Sequence, residues 1–319
     1  MNDLHRRLHK LSFYLRHMHL GVLPYALKEK DVQAALREFR LLPAEQQQHV
    51  QSRVDYYNKL SPNTALTHTP QETVGAYHRC PDWNSSYFYD LADLVRYFPA
   101  DYAFDCEFGD VIHVPKQPAF VKSRPIQDDN QYSVLLKLDS FRHFYVYPDA
   151  LTFSQKRNQL VWRGAAHQPW RLKFVQQYHN HPLCDVGCVH RKSQNQPYHR
   201  PYMSVPEQLR YKYILSIEGN DVATNLKWIM ASQSVCLMTR PKYETWLMEG
   251  RLQPEVHYIG LEDDYSDLDE KLRFYKANPQ AAEKIVQQAQ QWMQPFFDAK
   301  LERIVSLMVM QKYFDCCQK

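Results

Sequence analysis

The sequence predicts an α/β fold built around a parallel sheet, and three observations predict it. From residue 159 onward, short apolar runs alternate with amphipathic runs at the spacing of βαβ units. Two of those runs end in glycine and charge, Val161-Trp162-Arg163-Gly164 and Ile217-Glu218-Gly219-Asn220-Asp221, at the carboxyl ends where an open parallel sheet meets its ligand. With 319 residues, 44% hydrophobic and 23% charged, the chain can also build one large or two medium cores.

The first sixty residues read as helices. Leu4, Leu8, Leu11, Leu15 and Met18 recur at steps of four and three, giving one apolar stripe among His5, Arg6, Arg7, His9, Lys10, Arg16, His17 and His19. Two readings stand: a helix packed on the domain with a solvated basic face, or a surface helix resting on anionic lipid. Pro43 suits the first turn of a further helix through Lys59. Residues 61–81 read as loop, and Ser85 and Ser86 as caps for a helix to about Phe98. Tyr102, Phe104, Cys106 and Phe108 alternate as on a half-buried strand ending at Gly109-Asp110. Strands are also expected over 119–123, 133–138 and 144–147.

The second half then alternates. Strands are expected over 159–162, 185–190, 213–217, 235–238 and 256–260. Helices are expected over 170–178, after an S-x-x-E capping box at Ser204 and Glu207, from Asp221 through Ser232, over 243–249, and from Ser266 to about Ala277. From Pro279 the chain is helical, with Ala281, Ile285, Ala289 and Trp292 on one face, a kink at Pro295, and a stripe of Leu301, Ile304, Val305 and Met308. The resulting division is an N-terminal domain over 1–155 and a C-terminal domain over 156–319.

Composition narrows the function. A net charge of +4 is mild for this length and argues against a dedicated nucleic-acid binder. No apolar run approaches the roughly 18 to 20 residues that span a bilayer, and residues 1–21 lack a secretory apolar core. Seven cysteines in no framework spacing read as reduced thiols in a cytoplasmic protein, and the paired CxxC spacing of a zinc site is missing. Eight glycines against nineteen prolines, with neither GxxxxGK[ST] nor GxGxxG, exclude P-loop chemistry and the usual dinucleotide fingerprint.

Chemistry concentrates at the two charged strand ends. A guanidinium beside a glycine, Arg163-Gly164, permits close backbone approach to a phosphate with a bidentate bond, and Arg171 follows in the next helix. An arginine in a surface ion pair is the plain alternative. At the second end, Gly219 frees the backbone, Asp221, Thr224 and Asn225 place small polar groups at a helix start, and Lys227 lies within reach of an anion there; Asp221 could equally serve only as a cap.

The stretch from Tyr211-Lys212-Tyr213 through Gly219, Lys227 and Trp228 to Tyr243-Glu244-Thr245-Trp246 and Pro254-Glu255-Val256-His257-Tyr258 resembles glycosyltransferase family 90. Asp267-Leu268 and Asn278-Pro279-Gln280-Ala281-Ala282 extend the likeness, and Trp162-Arg163-Gly164 is similar to the family's "RG" motif. The resemblance spans roughly residues 100 to 295, with several motifs in order, and is nearest to the bacterial lipopolysaccharide core transferases. It implies a GT-B architecture, two Rossmann-like domains facing across a cleft, with a helical N-terminal extension and C-terminal helices. It implies an inverting, metal-independent hexosyltransferase with a UDP-sugar, glucose foremost, as donor and no cofactor. The acceptor implied is a lipopolysaccharide or lipooligosaccharide core, reached in the cytoplasm with peripheral contact at the inner face of the membrane.

Inversion needs one carboxylate to take the acceptor hydroxyl's proton. The family's base follows an N-domain strand in an "RD-YP" context, which places it at Asp110 in Phe108-Gly109-Asp110-Val111; here glycine replaces the arginine and the proline moves to Pro115. The resemblance gives leaving-group stabilisation to Arg163, with Arg171 and Lys227 behind it, and donor contacts to Gly164, Gly219, Asp221, Thr224 and Asn225. Lys122, Arg124 and Arg142 are read as acceptor-side cations, with a solvated basic face as the alternative. Asp128-Asp129 and Asp263-Asp264 are paired acids, the latter read as complementing a helix dipole and not as metal ligands. His167 beside the "RG" turn is read as structural. Two other readings remain, a glycoside hydrolase, which needs a second placed acid, and a non-catalytic glycan- or membrane-binding protein.

Overall fold

A computed structural model describes residues 2–27, 29–77 and 86–317, with side chains from residue 7 onward. The chain forms two compact units, one of Met1–His5, His143–Lys242 and Glu249–Gln294, the other of Arg6–Arg142, Tyr243–Met248 and Pro295–Lys319.

The unit that begins at Arg6 is mostly helical at first. α1 (Asn2–His17) runs into a single 3-10 turn, Met18–Gly21. Its packing inverts the simple expectation from periodicity. Phe13 is the buried contact, its ring 5.2 Å from Phe141, while Leu8, Leu11, Leu15 and Met18 face outward; the side chains of Leu4, His5 and Arg6 lie outside the described residues. α2 (Val32–Arg40) starts where Asp31 accepts from the amides of Gln33 at 2.8 Å and Ala34 at 3.2 Å. α3 (Ala44–Tyr57) follows Pro43, whose fixed φ suits a helix entry.

After β1 (Glu72–Thr73), α4 (Ser86–Val95) begins; Ser85, its other expected cap, lies outside the described residues. The strand expected at 102–108 is two strands. β2 (Ala103–Phe104) pairs antiparallel with β1, and β3 (Cys106–Glu107) pairs parallel with β4 (Ala119–Val121). The break falls at Asp105, whose carboxylate accepts from the Gln71 amide at 2.8 Å and so turns the chain between sheets. β5 (Ser123–Pro125) and β6 (Ser133–Leu135) follow, and β3-β4-β6 form a short parallel sheet. α5 (Ser140–His143) comes next. Residues 144–147 are not a strand; the aromatic alternation there serves an edge-to-face contact of Tyr145 with Tyr147 at 4.7 Å instead of a ladder.

The other unit holds β7 (Arg157–Gly164), α6 (Pro169–Tyr178), β8 (Cys184–Cys188), α7 (Val205–Gln208), β9 (Tyr211–Leu215), α8 (Leu226–Met230) and β10 (Val235–Thr239). The helix expected over 243–249 is instead β11 (Tyr243–Thr245), which pairs antiparallel with β5 in the helical unit. Its Tyr-Glu-Thr pattern suits a ladder, and Glu244 meets a buried cation there. β12 (Ile259–Leu261), α9 (Leu268–Ala277) and α10 (Pro279–Met293) complete the sheet unit, and α11 (Ala299–Cys317) returns to the first.

The five strands are all parallel in the order β12-β10-β9-β7-β8. Alternate residues of one sheet face, Leu160 and Trp162, Val186, Tyr213 and Leu215, Val235 and Leu237, Ile259 and Leu261, pack with Phe174, Leu268, Leu272, Ile285 and Val286 from the helices. Burial of such side chains contributes about 1.5–3 kcal/mol each, so this face sets the register of every strand. From β7 the chain steps outward to β8, then crosses back to β9 and onward. That reversal makes the gap between β7 and β9 the topological switch point, where sheets of this kind bind ligands.

Candidate functional site

Both charged strand ends lie at that switch point, because they terminate β7 and β9. Gly164 closes β7 under the Trp162 ring; a Cβ there would sit 2.6 Å from the indole. Arg171, in the first turns of α6, reaches across both loops. Its Nε donates to the Glu218 carbonyl at 2.9 Å, Nη2 to that of Ile217 at 2.7 Å and Nη1 to that of Ala165 at 3.4 Å. The guanidinium lies 5.9 Å from the Trp162 ring centre, and burial lowers its pKa with partial relief from Tyr265. Guanidinium remains charged through such shifts. Among the described residues no carboxylate lies in ion-pair range of Arg171, so carbonyl dipoles, the Trp162 ring and Tyr265 are what its charge meets.

The other expected cations are placed differently. Arg163 is paired to Asp185 of β8 at 2.5 Å and donates to the carbonyls of Asp185 at 2.7 Å and Pro201 at 3.3 Å. Burial works against the Asp185 charge, but bonds from Tyr211 and Arg163 and the Arg163 charge outweigh it and hold the carboxyl below its usual range. Lys227 points into the interior, fully buried, with its ammonium 2.7 Å from the equally buried Glu249. Asn225 completes the strand end: its amide donates to the Leu215 carbonyl at 2.9 Å and its oxygen accepts from Ser216 at 3.1 Å. Asp221 is buried and Thr224 half-buried. Gly219 adjoins Arg171, and Gln168 bonds Asn220 at 3.1 Å across the two loops. His167 stacks edge-on to His190 at 4.3 Å.

In the helical unit, Asp110 follows Gly109, whose φ of 100° a side-chain-bearing residue rarely adopts. Lys122, buried just past β4, holds the Asp110 carboxylate at 2.7 Å, and its ammonium lies 5.8 Å from the Tyr87 ring centre. Ser123 pins the loop by donating to the Val111 carbonyl at 3.1 Å. Phe108 and Ile112 are exposed on either side of Asp110. Such a carboxylate, in contact with a buried ammonium and reaching solvent, has the chemistry of a proton acceptor. Arg124 sits fully inside, paired with Glu244 at 2.7 Å and donating to the carbonyls of Tyr56, Tyr57 and Ser133; it braces β5 against β11 and presents no surface. Arg142 is exposed beside Asp139 at 3.4 Å. Asp129 accepts from Gln127, and Asp264 from the Ser266 amide at 3.0 Å.

Asp185, Glu249 and Glu244 are the partners that sequence reasoning missed. Asp185 and Glu244 lie within strands and Glu249 opens a 3-10 turn; each is far along the chain from its cation, and only an acidic residue among apolar neighbours hints at it. Among the described residues no group of three or more His, Cys, Asp or Glu is placed to hold a metal ion, and no helix is long and apolar enough to cross a membrane.

The profile of the family described as Glycosyl transferase family 90 matches residues 146–315. The chain is 54% identical to O-glucosyltransferase LpsA of Dichelobacter nodosus over 310 residues, 97% of this chain and 96% of the relative. It is 29% identical to protein O-glucosyltransferase 2 of Danio rerio over 44% of this chain and 29% of the relative. Against protein O-glucosyltransferase 3 of Homo sapiens it is 26% identical over 50% of this chain and 32% of the relative.

Proposed function

The chain belongs to glycosyl transferase family 90 and is a glycosyltransferase, and from that premise we propose that it transfers glucose from UDP-glucose, with inversion, to the core of a lipopolysaccharide or lipooligosaccharide in the cytoplasm. The near-full-length identity to an O-glucosyltransferase carries the choice of sugar.

On this reading the architecture is GT-B, and the five-stranded sheet supplies the donor site. The diphosphate binds at the switch point against the Gly164 and Gly219 backbones. Arg171 is its principal cation, because its charge is not already neutralised by a carboxylate. Arg163, balanced by Asp185, shapes the β7 end and assists second, and Lys227 braces the loop from within through Glu249. Asp110 removes the acceptor hydroxyl's proton as that oxygen forms its bond to the anomeric carbon. The bond to the diphosphate breaks on the opposite face, and UDP leaves with its charge met by the guanidinium, without a metal. Lys122 orients Asp110, and Arg142 is the acceptor-side cation at the surface.

A panel of UDP-sugars in thermal-shift measurements, followed by transfer to a core acceptor and NMR of the product, tests the reading. UDP-glucose should raise Tm most, since a ligand specific to the native state stabilises it by mass action, and the new linkage should be β. Stabilisation by no UDP-sugar would end the donor assignment, and an α product would end the inverting mechanism.

A further inference from the structure

α1 carries its aliphatic residues on the outside. Leu8, Leu11, Leu15, Met18 and Val22 follow one another at three- and four-residue steps along the helix and the turn after it, and each is more than half exposed. The opposite side does the packing. Phe13 lies against Phe141, Tyr14 meets Tyr89 edge-on at 5.8 Å, and Leu20 is buried beside Gly21, which itself sits against the Tyr89 ring. Aromatic contacts thus fix the orientation of the helix, and the stripe is presented outward by a held element.

Charge surrounds that stripe on both sides. At 100° per residue Arg7 and Lys10 fall on one flank, and His9, Arg16 and His19 on the other, with Arg7, His9, Lys10 and Arg16 exposed. From Leu4 through Lys28 the chain contains no aspartate or glutamate. An apolar ridge flanked by cations, in a segment free of acids, is complementary to a surface that is oily beneath and anionic above. A second copy would bring the same cations against themselves. We propose that α1 seats the protein on an anionic bilayer, with Leu8, Leu11, Leu15 and Met18 in the acyl boundary and Arg7, Lys10 and Arg16 among the headgroups. This inference stands on α1 and does not depend on the donor or the reaction.

The test is flotation of the full chain with vesicles of equal parts phosphatidylglycerol and phosphatidylcholine, and with phosphatidylcholine alone. Binding should favour the anionic vesicles at least tenfold and weaken with salt. Leu11→Glu with Leu15→Glu should lower partitioning roughly a hundredfold by removing two buried aliphatic side chains. Arg7→Gln, Lys10→Gln and Arg16→Gln together should lower it by a similar factor, roughly fivefold per cation. All these positions are exposed, so circular dichroism and Tm should be unchanged and loss of binding cannot be blamed on unfolding. Equal binding to both vesicle types, or unchanged binding of either variant, overturns the proposal. So does a dimer in sedimentation equilibrium that the leucine variant abolishes while wild type ignores vesicles.

Discussion

Lys122 grips Asp110 through one contact of 2.7 Å between Nζ and Oδ1, with the lysine side chain 3% exposed and the aspartate 36%. A sealed cation beneath a solvent-reaching carboxylate anchors its direction, as the proposed proton acceptor requires.

Asp110→Asn should therefore lower transfer by a factor of roughly 10² to 10⁴, the usual range for a lost general base, while UDP-sugar stabilisation persists in a thermal-shift assay. Turnover near wild type would move the base elsewhere.

Arg171 and Arg163 should separate by readout. Arg171→Met should weaken UDP affinity by tenfold or more, since one charge-assisted bond contributes about 1.5–3 kcal/mol. Arg163→Met should act first on stability, because it strands Asp185 beside Tyr211. Calorimetric titration with UDP and urea unfolding of both variants check this; a larger affinity loss at Arg163 would reverse the assignment.

Lys227→Met should destabilise by about 3–5 kcal/mol, leaving Glu249 charged in the interior. Lys227→Met combined with Glu249→Leu should recover most of that loss in denaturant unfolding, as expected for a coupled pair.

Burial, with Asp139 and Asp93 nearby and against two bonds from Ser140, pushes the Asp90 carboxyl up to about 7. An unfolded aspartate titrates near ~3.9, so between about pH 4 and pH 7 the folded state holds the extra proton. Stability from this group is full below that window and lost as pH rises through it. Asp90→Asn should flatten that decline in Tm measured against pH.

The parallel sheet was legible because strand and helix alternate locally, and its two charged ends because glycine and charge mark them. What could not be read was pairing over distance. Tyr243–Thr245 forms its ladder with Ser123–Pro125, and nothing local separates that strand from a short helix. Arg163, Arg124 and Lys227 have the chemistry of ligand residues, yet Asp185, Glu244 and Glu249 neutralise them, leaving Arg171 to carry the charge. In α1 the period was clear and its direction was not, since the aromatic contacts of Phe13 and Tyr14, with buried Leu20, outweigh a whole aliphatic stripe in deciding which side turns inward.

The guanidinium of Arg171 has a mechanical consequence. It rivets the segment leaving β7 to the segment leaving β9 through three carbonyl oxygens. Neither segment can lift without tugging its neighbour, so a push on one is felt at the other with no rearrangement of β7 and β9 themselves.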